Sequence, residues 1–306
     1  MAPATLHRRR ARAAGPGPKD RLFGVGLVTP TLLVTLALLA YPLLASFWYS
    51  LFDVRLGGRT SRFVGLGNYV SVVTDPIFMP ALTRTVLFAV TVTVLTVAMG
   101  LGFALVLDGE FRGRTLLRGM MILPWALSQT TLALAIGWIF NSTFGPLNGL
   151  LTQLGITDEY VSWFRDGRTV LAVVALGIVW SLVPFATLLF LGALQTVPQD
   201  LIKAARVDGA GPLRRFQLVV LPHIRETALI VTVLAALNGF LVFAPIYILT
   251  GGGPGTETTL LAWWGYRTGF RDLQLGQSAA IFYLMTLLVV ASALLTVLAL
   301  GRRRQP

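Results

Sequence analysis

The stretch Ala204-Ala205-Arg206-Val207-Asp208-Gly209-Ala210, with Pro222 downstream, interrupts a chain that is otherwise mostly apolar. It is polar, cationic and turn-bearing, and it sits between two long apolar runs. Pro198 suits the first turn of a helix, and Gln199-Asp200 bring a carboxylate to that helix's positive end. A short helix is expected over Leu201–Arg206, with the small Ala204 and Ala205 on its surface, where a partner's backbone can approach closely. Asp208-Gly209 is a turn pair, glycine being free to take positive φ. Pro212–Leu221 is expected to resume as a second short helix, with Phe216 as an apolar anchor and Pro222 closing it. Such a helix–turn–helix, lying along a membrane surface, is a plug for a groove on another protein.

Composition makes the membrane part of the argument. The 306 residues are 55% hydrophobic and 12% charged, with a mean hydropathy of +0.74. Soluble domains carry about 25% charged residues, so lipid must be the solvent for much of this chain. Six segments are long enough to cross a hydrocarbon core of about 30 Å: Leu22–Leu51, Thr85–Leu107, Met120–Phe140, Val170–Leu194, Thr227–Leu249 and Leu275–Leu300. They exceed typical strands and lack the alternation of a lipid-facing barrel, so the predicted fold is an all-α, polytopic membrane protein of six helices. Pro30, Pro42, Pro124, Pro184 and Pro245 fall in or beside these spans and are expected to kink them.

Of the 25 Lys and Arg, 17 lie in the N-terminal arm, the second-to-third loop, the fourth-to-fifth loop and the tail. This bias places both termini and the Asp208-Gly209 loop in the cytoplasm. It also accounts for the net charge of +12 as topology, so nucleic acid is not an expected partner. The first span is too long for a signal-peptide core and reads as an uncleaved helix. The expected organisation is a basic arm at 1–21, a transmembrane domain at 22–300 and a basic tail at 301–306.

Several chemistries are excluded. None of the six spans contains Asp, Glu, Lys, Arg or His, which argues against a proton-coupled antiporter. The two lysines, Lys19 and Lys203, precede Asp20 and Ala204, so the chain has no phosphate-binding G-x-x-x-x-G-K-[ST] loop. If transport is driven by ATP, a partner hydrolyses it. Cysteine is absent, and His7 and His223 lie in separate polar segments, so no metal site is expected. The acidic residues are scattered, Asp158-Glu159 being the only adjacent pair, and no catalytic residue is assigned.

The A-A-x-x-D-G-A spacing with its downstream proline resembles the "EAA" coupling loop of ABC importer permeases, with Lys203 in place of the leading Glu. Other segments extend the likeness over roughly Leu22 to Leu300. Phe63, Gly65, Asn68 and Tyr69 resemble an F-x-G-x-x-N-[YF] element. Arg118 with Leu123-Pro124-Trp125 resembles an "R…LPW" segment. Trp138-Ile139-Phe140 with Gly145-Pro146-Leu147-Asn148 resembles a further loop of sugar-importer permeases. Leu249-Thr250-Gly251-Gly252-Gly253-Pro254 is similar to the L-T-x-G-G-P segment of the maltose and glycerol-3-phosphate "F/A-like" permeases.

The resemblance implies a six-helix permease fold with cytoplasmic coupling helices in a bacterial cytoplasmic membrane. It implies a carbohydrate substrate moved by alternating access. The implied partners are a second, different permease, two ATPases that use ATP and Mg, and an extracytoplasmic substrate-binding protein, with no cofactor on this chain itself. The coupling residues would be Lys203, Ala204, Ala205, Arg206, Asp208, Gly209, Ala210, Phe216 and Pro222. The family's Glu helps hold the loop on the ATPase. Lys203 therefore implies an altered partner surface, or more of the contact carried by Arg206 and Asp208. The resemblance places the sugar path at Trp180, Ser181, Leu182, Phe185, Asn238 and Val242, and an outer-loop motif at Gly251, Gly252, Gly253 and Pro254. A permease for glycerol phosphodiesters, polyols or another non-sugar solute is the alternative reading, and a non-transport membrane scaffold the second.

Overall fold

The computed structural model describes residues 18–55, 57–58 and 61–301. The basic arm expected at the N-terminus lies outside them up to residue 17, as does the tail at 302–306. The chain divides into two units, Met1–Trp48 and Tyr49–Pro306, a division that falls inside the first expected span. The first unit holds most of helix α1 (Pro18–Ser50), which runs through Pro30 and Pro42. From Gly26 onward α1 is apolar on every side, the pattern of a helix surrounded by lipid or partner rather than half-solvated.

The second unit begins with a two-residue antiparallel pair, β1 (Phe52–Asp53) and β2 (Arg62–Phe63). Then come α2 (Gly67–Thr74), α3 (Phe78–Asp108), α4 (Arg114–Trp125), α5 (Gln129–Ile139), α6 (Pro146–Gln153) and α7 (Gly167–Leu194). The rest is α8 (Gln199–Val207), α9 (Pro212–Arg215), α10 (Leu221–Phe240), α11 (Ala244–Leu249), α12 (Leu261–Tyr266) and α13 (Leu275–Gly301). Among the described residues, five helical stretches are long and apolar enough to span a bilayer, and six if α4 and α5 count as one broken span.

Helix α3 is the spine and makes its most extensive contacts with α7 and then α10. Small residues let these helices approach. A Cβ on Gly100 of α3 would lie 2.6 Å from the Cβ of Ala186 on α7. One on Gly239 of α10 would lie 2.7 Å from the Cα of Ala89 on α3. In lipid, where apolar side chains gain little by leaving the solvent, such close backbone packing is what holds helices together. One buried cluster joins Val92, Val174, Ile178 and Trp263; another, nearer α8, joins Phe190, Leu194, Ile224 and Val231.

Two expectations are corrected. The third span, Met120–Phe140, is not one kinked helix but two, α4 and α5, which meet at 95°. Pro124 denies α4 a backbone donor near its end. Ser128 then starts a new helix, its Oγ accepting from Thr131 N at 3.1 Å. Pro222, expected to close a short helix, closes nothing. Helix α9 passes through a π turn at Phe216–Val220 directly into α10, where Pro222 occupies the first turn. The wider turn bonds Leu221 N to Phe216 O and makes room for the proline ring against the preceding turn. His223, placed by the sequence in a polar segment between spans, is helical, with Nδ1 2.7 Å from Val219 O.

Buried amides tie the loops. Asn68 Nδ2 donates to Ser50 O and Phe52 O, each at 2.8 Å. Asn148, fully buried, donates to Val161 O at 3.0 Å and accepts from Val161 N and from Trp163 Nε1 at 2.9 Å. Asp166 caps α7, its Oδ2 accepting from Thr169 N and Thr169 Oγ1, both at 3.0 Å. Those two bonds, the backbone one first, hold its carboxyl below the usual range, with Arg168 adding a smaller pull.

Candidate functional site

Helix α8 and its turn form a surface element pinned from beneath. Ile202 and Phe216 pack, half-buried, on the cluster of Phe190, Leu194 and Ile224. Phe216 thus anchors the loop to this chain's own core. The helix ends as a glycine-capped turn: Ala210 N donates to Ala205 O at 2.9 Å and Asp208 N to Ala204 O at 3.0 Å, with Gly209 at φ +75°. Lys203, Ala204, Arg206, Asp208 and Gly209 face outward, whereas Ala205 and Ala210 are half-buried, and Pro222 is exposed at the start of α10. Lys203 Nζ lies 3.4 Å from Asp200 Oδ1 with both side chains in solvent, a pair that adds little to stability. Sequence reasoning missed the exposed apolar residues here: Val207 is 88% exposed, and Leu201, Leu213 and Leu218 are also bare. Their signal was available, since Val207 and Leu213 are apolar residues flanking the polar turn. A bare apolar rim around a polar turn is the composition of a protein contact.

Between α3, α4, α7 and α10 lies a cavity of about 160 Å³. Leu182 and Phe185 line it from α7, and Leu234 and Asn238 from α10. Trp125, at the end of α4, stacks on Phe185 with ring centroids 5.3 Å apart and planes 12° apart. Asn238 Nδ2 donates to Leu234 O of its own helix at 2.9 Å. Three expected path residues therefore come together here, and three do not. Trp180 is exposed on another face of α7, Ser181 Oγ donates to Ile178 O at 2.9 Å, and Val242 is fully buried in the cluster around Trp263. Thr96 and Trp125 also line it and were not expected from sequence as path residues.

At the end of α7 opposite α8 is a larger cavity, about 710 Å³, lined in part by Arg84, Asp166, Arg168 and Glu257. The glycine motif stands beside it. Gly251 and Gly252 adopt φ +55° and +91°, and the Gly253–Pro254 peptide is cis. Thr258 Oγ1 donates to Gly253 O at 2.7 Å and Thr259 Oγ1 to Gly252 O at 3.2 Å. Glu257 accepts from Gly167 N at 3.0 Å, and Arg84 Nη1 donates to Thr256 O at 2.8 Å. The motif is thus a folded knot tied to the ends of α3 and α7. Beyond it a train of rings, Phe243, Tyr247, Trp263, Tyr266 and Phe270, runs toward the surface, with Arg271 5.0 Å from the Trp263 ring.

Comparison with known proteins agrees with this architecture. The chain is 33% identical over 267 residues to the sulfoquinovosyl glycerol transport system permease protein SmoG of Agrobacterium fabrum, covering 87% of this chain and 86% of that one. It is 33% identical over 290 residues to the trehalose/maltose transport system permease protein MalF of Thermococcus litoralis, covering 94% and 96%. Its fold matches a chain in the crystal structure of a bacterial ABC transporter involved in import of the acidic polysaccharide alginate. The TM-score is 0.79 at 18% identity, over 94% of this chain and 97% of that one. Residues 96–304, which include α8, its turn and the cavity walls of α7 and α10, match the family of binding-protein-dependent transport system inner membrane components, and the chain belongs to that family.

Proposed function

We propose that this multi-pass permease moves a carbohydrate inward by alternating access, driven by ATPase subunits docked on the turn at Gly209. The observation that carries the reading is the continuity from the exposed turn, through α9 and the π turn, into α10, which walls the cavity holding Asn238 and Phe185. An aromatic face suits the C–H surface of a sugar, and an amide suits its hydroxyls. The names of the relatives, which transport sulfoquinovosyl glycerol and trehalose or maltose, support a carbohydrate over other solutes. In this reading both termini and α8 are cytoplasmic, a second permease completes the path, and ATP and Mg belong to two partner ATPases. An external binding protein delivers the sugar, and this chain catalyses nothing itself.

The test is purification of the tagged chain in mild detergent, identification of the co-purifying chains, and uptake of trehalose, maltose and sulfoquinovosyl glycerol by the reconstituted complex. Co-purification of an ATPase that is lost on Gly209→Arg, with ATP-dependent uptake of one of these sugars, is the expected result. A chain recovered alone, with no ATP hydrolysis, contradicts the proposal.

A further inference from the structure

The cavity between α3 and α10 contains a polar atom with no partner among the described residues. Thr96 is 2% exposed, and its Oγ1 is buried without a hydrogen bond to any of them. Four other threonines on α3, α7 and α10 turn their hydroxyls onto the preceding turn. Thr85 donates to Ala81 O, Thr93 to Ala89 O, Thr187 to Val183 O and Thr232 to Ala228 O, at 2.6 to 2.8 Å. Thr96 has the same option and does not take it. A buried hydroxyl left unpaired destabilises a fold, and valine would fill the same volume without that cost. Its place is fixed by tight packing on both sides, through Gly100 against Ala186 one turn along α3, and Ala89 against Gly239 in the other direction.

The groups facing Thr96 are chemically specific. Across the cavity are the Asn238 amide, whose Nδ2 is already engaged, and the Phe185 ring, covered by Trp125. Trp125 is the last residue of α4, immediately before the 95° break into α5, and half of its surface is exposed. The ring is therefore held by its stack on Phe185 more than by a surrounding core. The cavity has no charged side chain in its lining.

We propose that Thr96 is a specificity-determining contact for the transported solute, its hydroxyl bonding a hydroxyl of a neutral pyranose ring, with Trp125 leaving Phe185 to stack on that ring. The proposal rests on the carbohydrate reading above and adds two residues, on α3 and α4, to the α7 and α10 residues expected from sequence. At about 160 Å³ the cavity takes one ring at a time, well below the roughly 300 Å³ where pockets for larger ligands begin.

The chain's lack of cysteine gives a direct test in the assembled complex. In Thr96→Cys, the new thiol is expected to react with methanethiosulfonate ethylammonium, read by mass spectrometry of this chain, and maltose or trehalose is expected to slow the reaction. Thr187→Cys, on a residue that is fully buried and outside the cavity, is the unreactive control. In transport, Thr96→Val is expected to raise the half-saturating sugar concentration about 3- to 10-fold, with Thr96→Ser near wild type. The Val variant should melt at the same temperature as wild type or higher, a combination that a merely structural threonine does not produce. Wild-type uptake kinetics in Thr96→Val, or an unreactive thiol in Thr96→Cys, would overturn the proposal while leaving the carbohydrate reading intact. A wild-type complex that takes up no sugar would remove that reading, and this inference with it.

Discussion

Gly100→Ala is the most direct test of the helix spine. The added Cβ would sit 2.6 Å from the Cβ of Ala186 and 3.4 Å from Ala186 C and Thr187 N. Neither neighbour can rotate away, because one is a methyl fixed to its backbone and the others are backbone. Relief to an ordinary carbon–carbon contact of about 3.5–4.0 Å requires α3 and α7 to separate by about 1 Å along their most extensive interface. Overpacking of this kind costs about 1–3 kcal/mol. At roughly 2–4 °C per kcal/mol for a domain of this size class, that is a fall of roughly 2–12 °C in apparent melting temperature. The assay is thermal unfolding of the purified chain in detergent, with Ala186→Gly and the double variant measured alongside. Ala186→Gly removes the methyl that clashes, so the double variant should recover most of the loss, giving a favourable coupling between the two sites. Wild-type melting in Gly100→Ala, or a double variant no better than the sum of the singles, would refute the close packing of α3 on α7.

Lys203→Glu should leave folding unchanged, since Lys203 and its Asp200 partner are both in solvent, while reducing co-purification of the ATPase; unchanged assembly would show that Lys203 does not shape the partner surface. Thr85→Val should lower the melting temperature, because Thr85 Oγ1 accepts from Leu261 N at 3.0 Å in a fully buried tie between α3 and α12. The orphaned N–H is worth about 1–3 kcal/mol, and an unaltered melting curve would count against the tie. Asp166→Ala should destabilise the start of α7 at neutral pH. Because the folded carboxyl titrates below its usual range, its stabilising effect is present above that range and lost as the pH falls through the lowered value. Melting curves of wild type and variant should therefore converge in acid, and a constant gap from neutral to acid pH would reject the capping role.

The helices were legible because a bilayer admits few alternatives to a long apolar run. The expected spans at Thr85–Leu107 and Val170–Leu194 fall inside α3 and α7, and the Asp208-Gly209 turn reads directly from glycine's tolerance of positive φ. Proline is harder to read, since its effect depends on its neighbours. Pro124 comes shortly before a serine able to cap a new helix, and the chain breaks. Pro222 comes just after a widened turn, and the helix continues. The site was half legible. Leu182, Phe185 and Asn238 share a cavity, whereas Val242 is sealed in the core and Trp180 faces outward. One-dimensional proximity on α7 and beyond α10 does not say which side of a helix meets α3. Thr96 carried no sequence signal, being one threonine among several on α3; burial of an unbonded hydroxyl singles it out. The asparagines of the loop motifs, Asn68 and Asn148, fasten backbone between loop segments.

The unbroken run from Pro212 to Phe240 has a mechanical consequence. At 1.5 Å per residue it is a rod roughly 40 Å long, with the exposed Leu213 near one end and the cavity residue Asn238 near the other. A stiff rod rocking about its midpoint through about 5° carries each tip nearly 2 Å in opposite directions. A displacement of that size exceeds the slack between Gly239 and Ala89, whose surfaces already touch. The same crowding that steadies the bundle therefore turns small swings at one tip into an all-or-none rearrangement at the other, because tightly packed helices slide between discrete fits rather than yielding gradually.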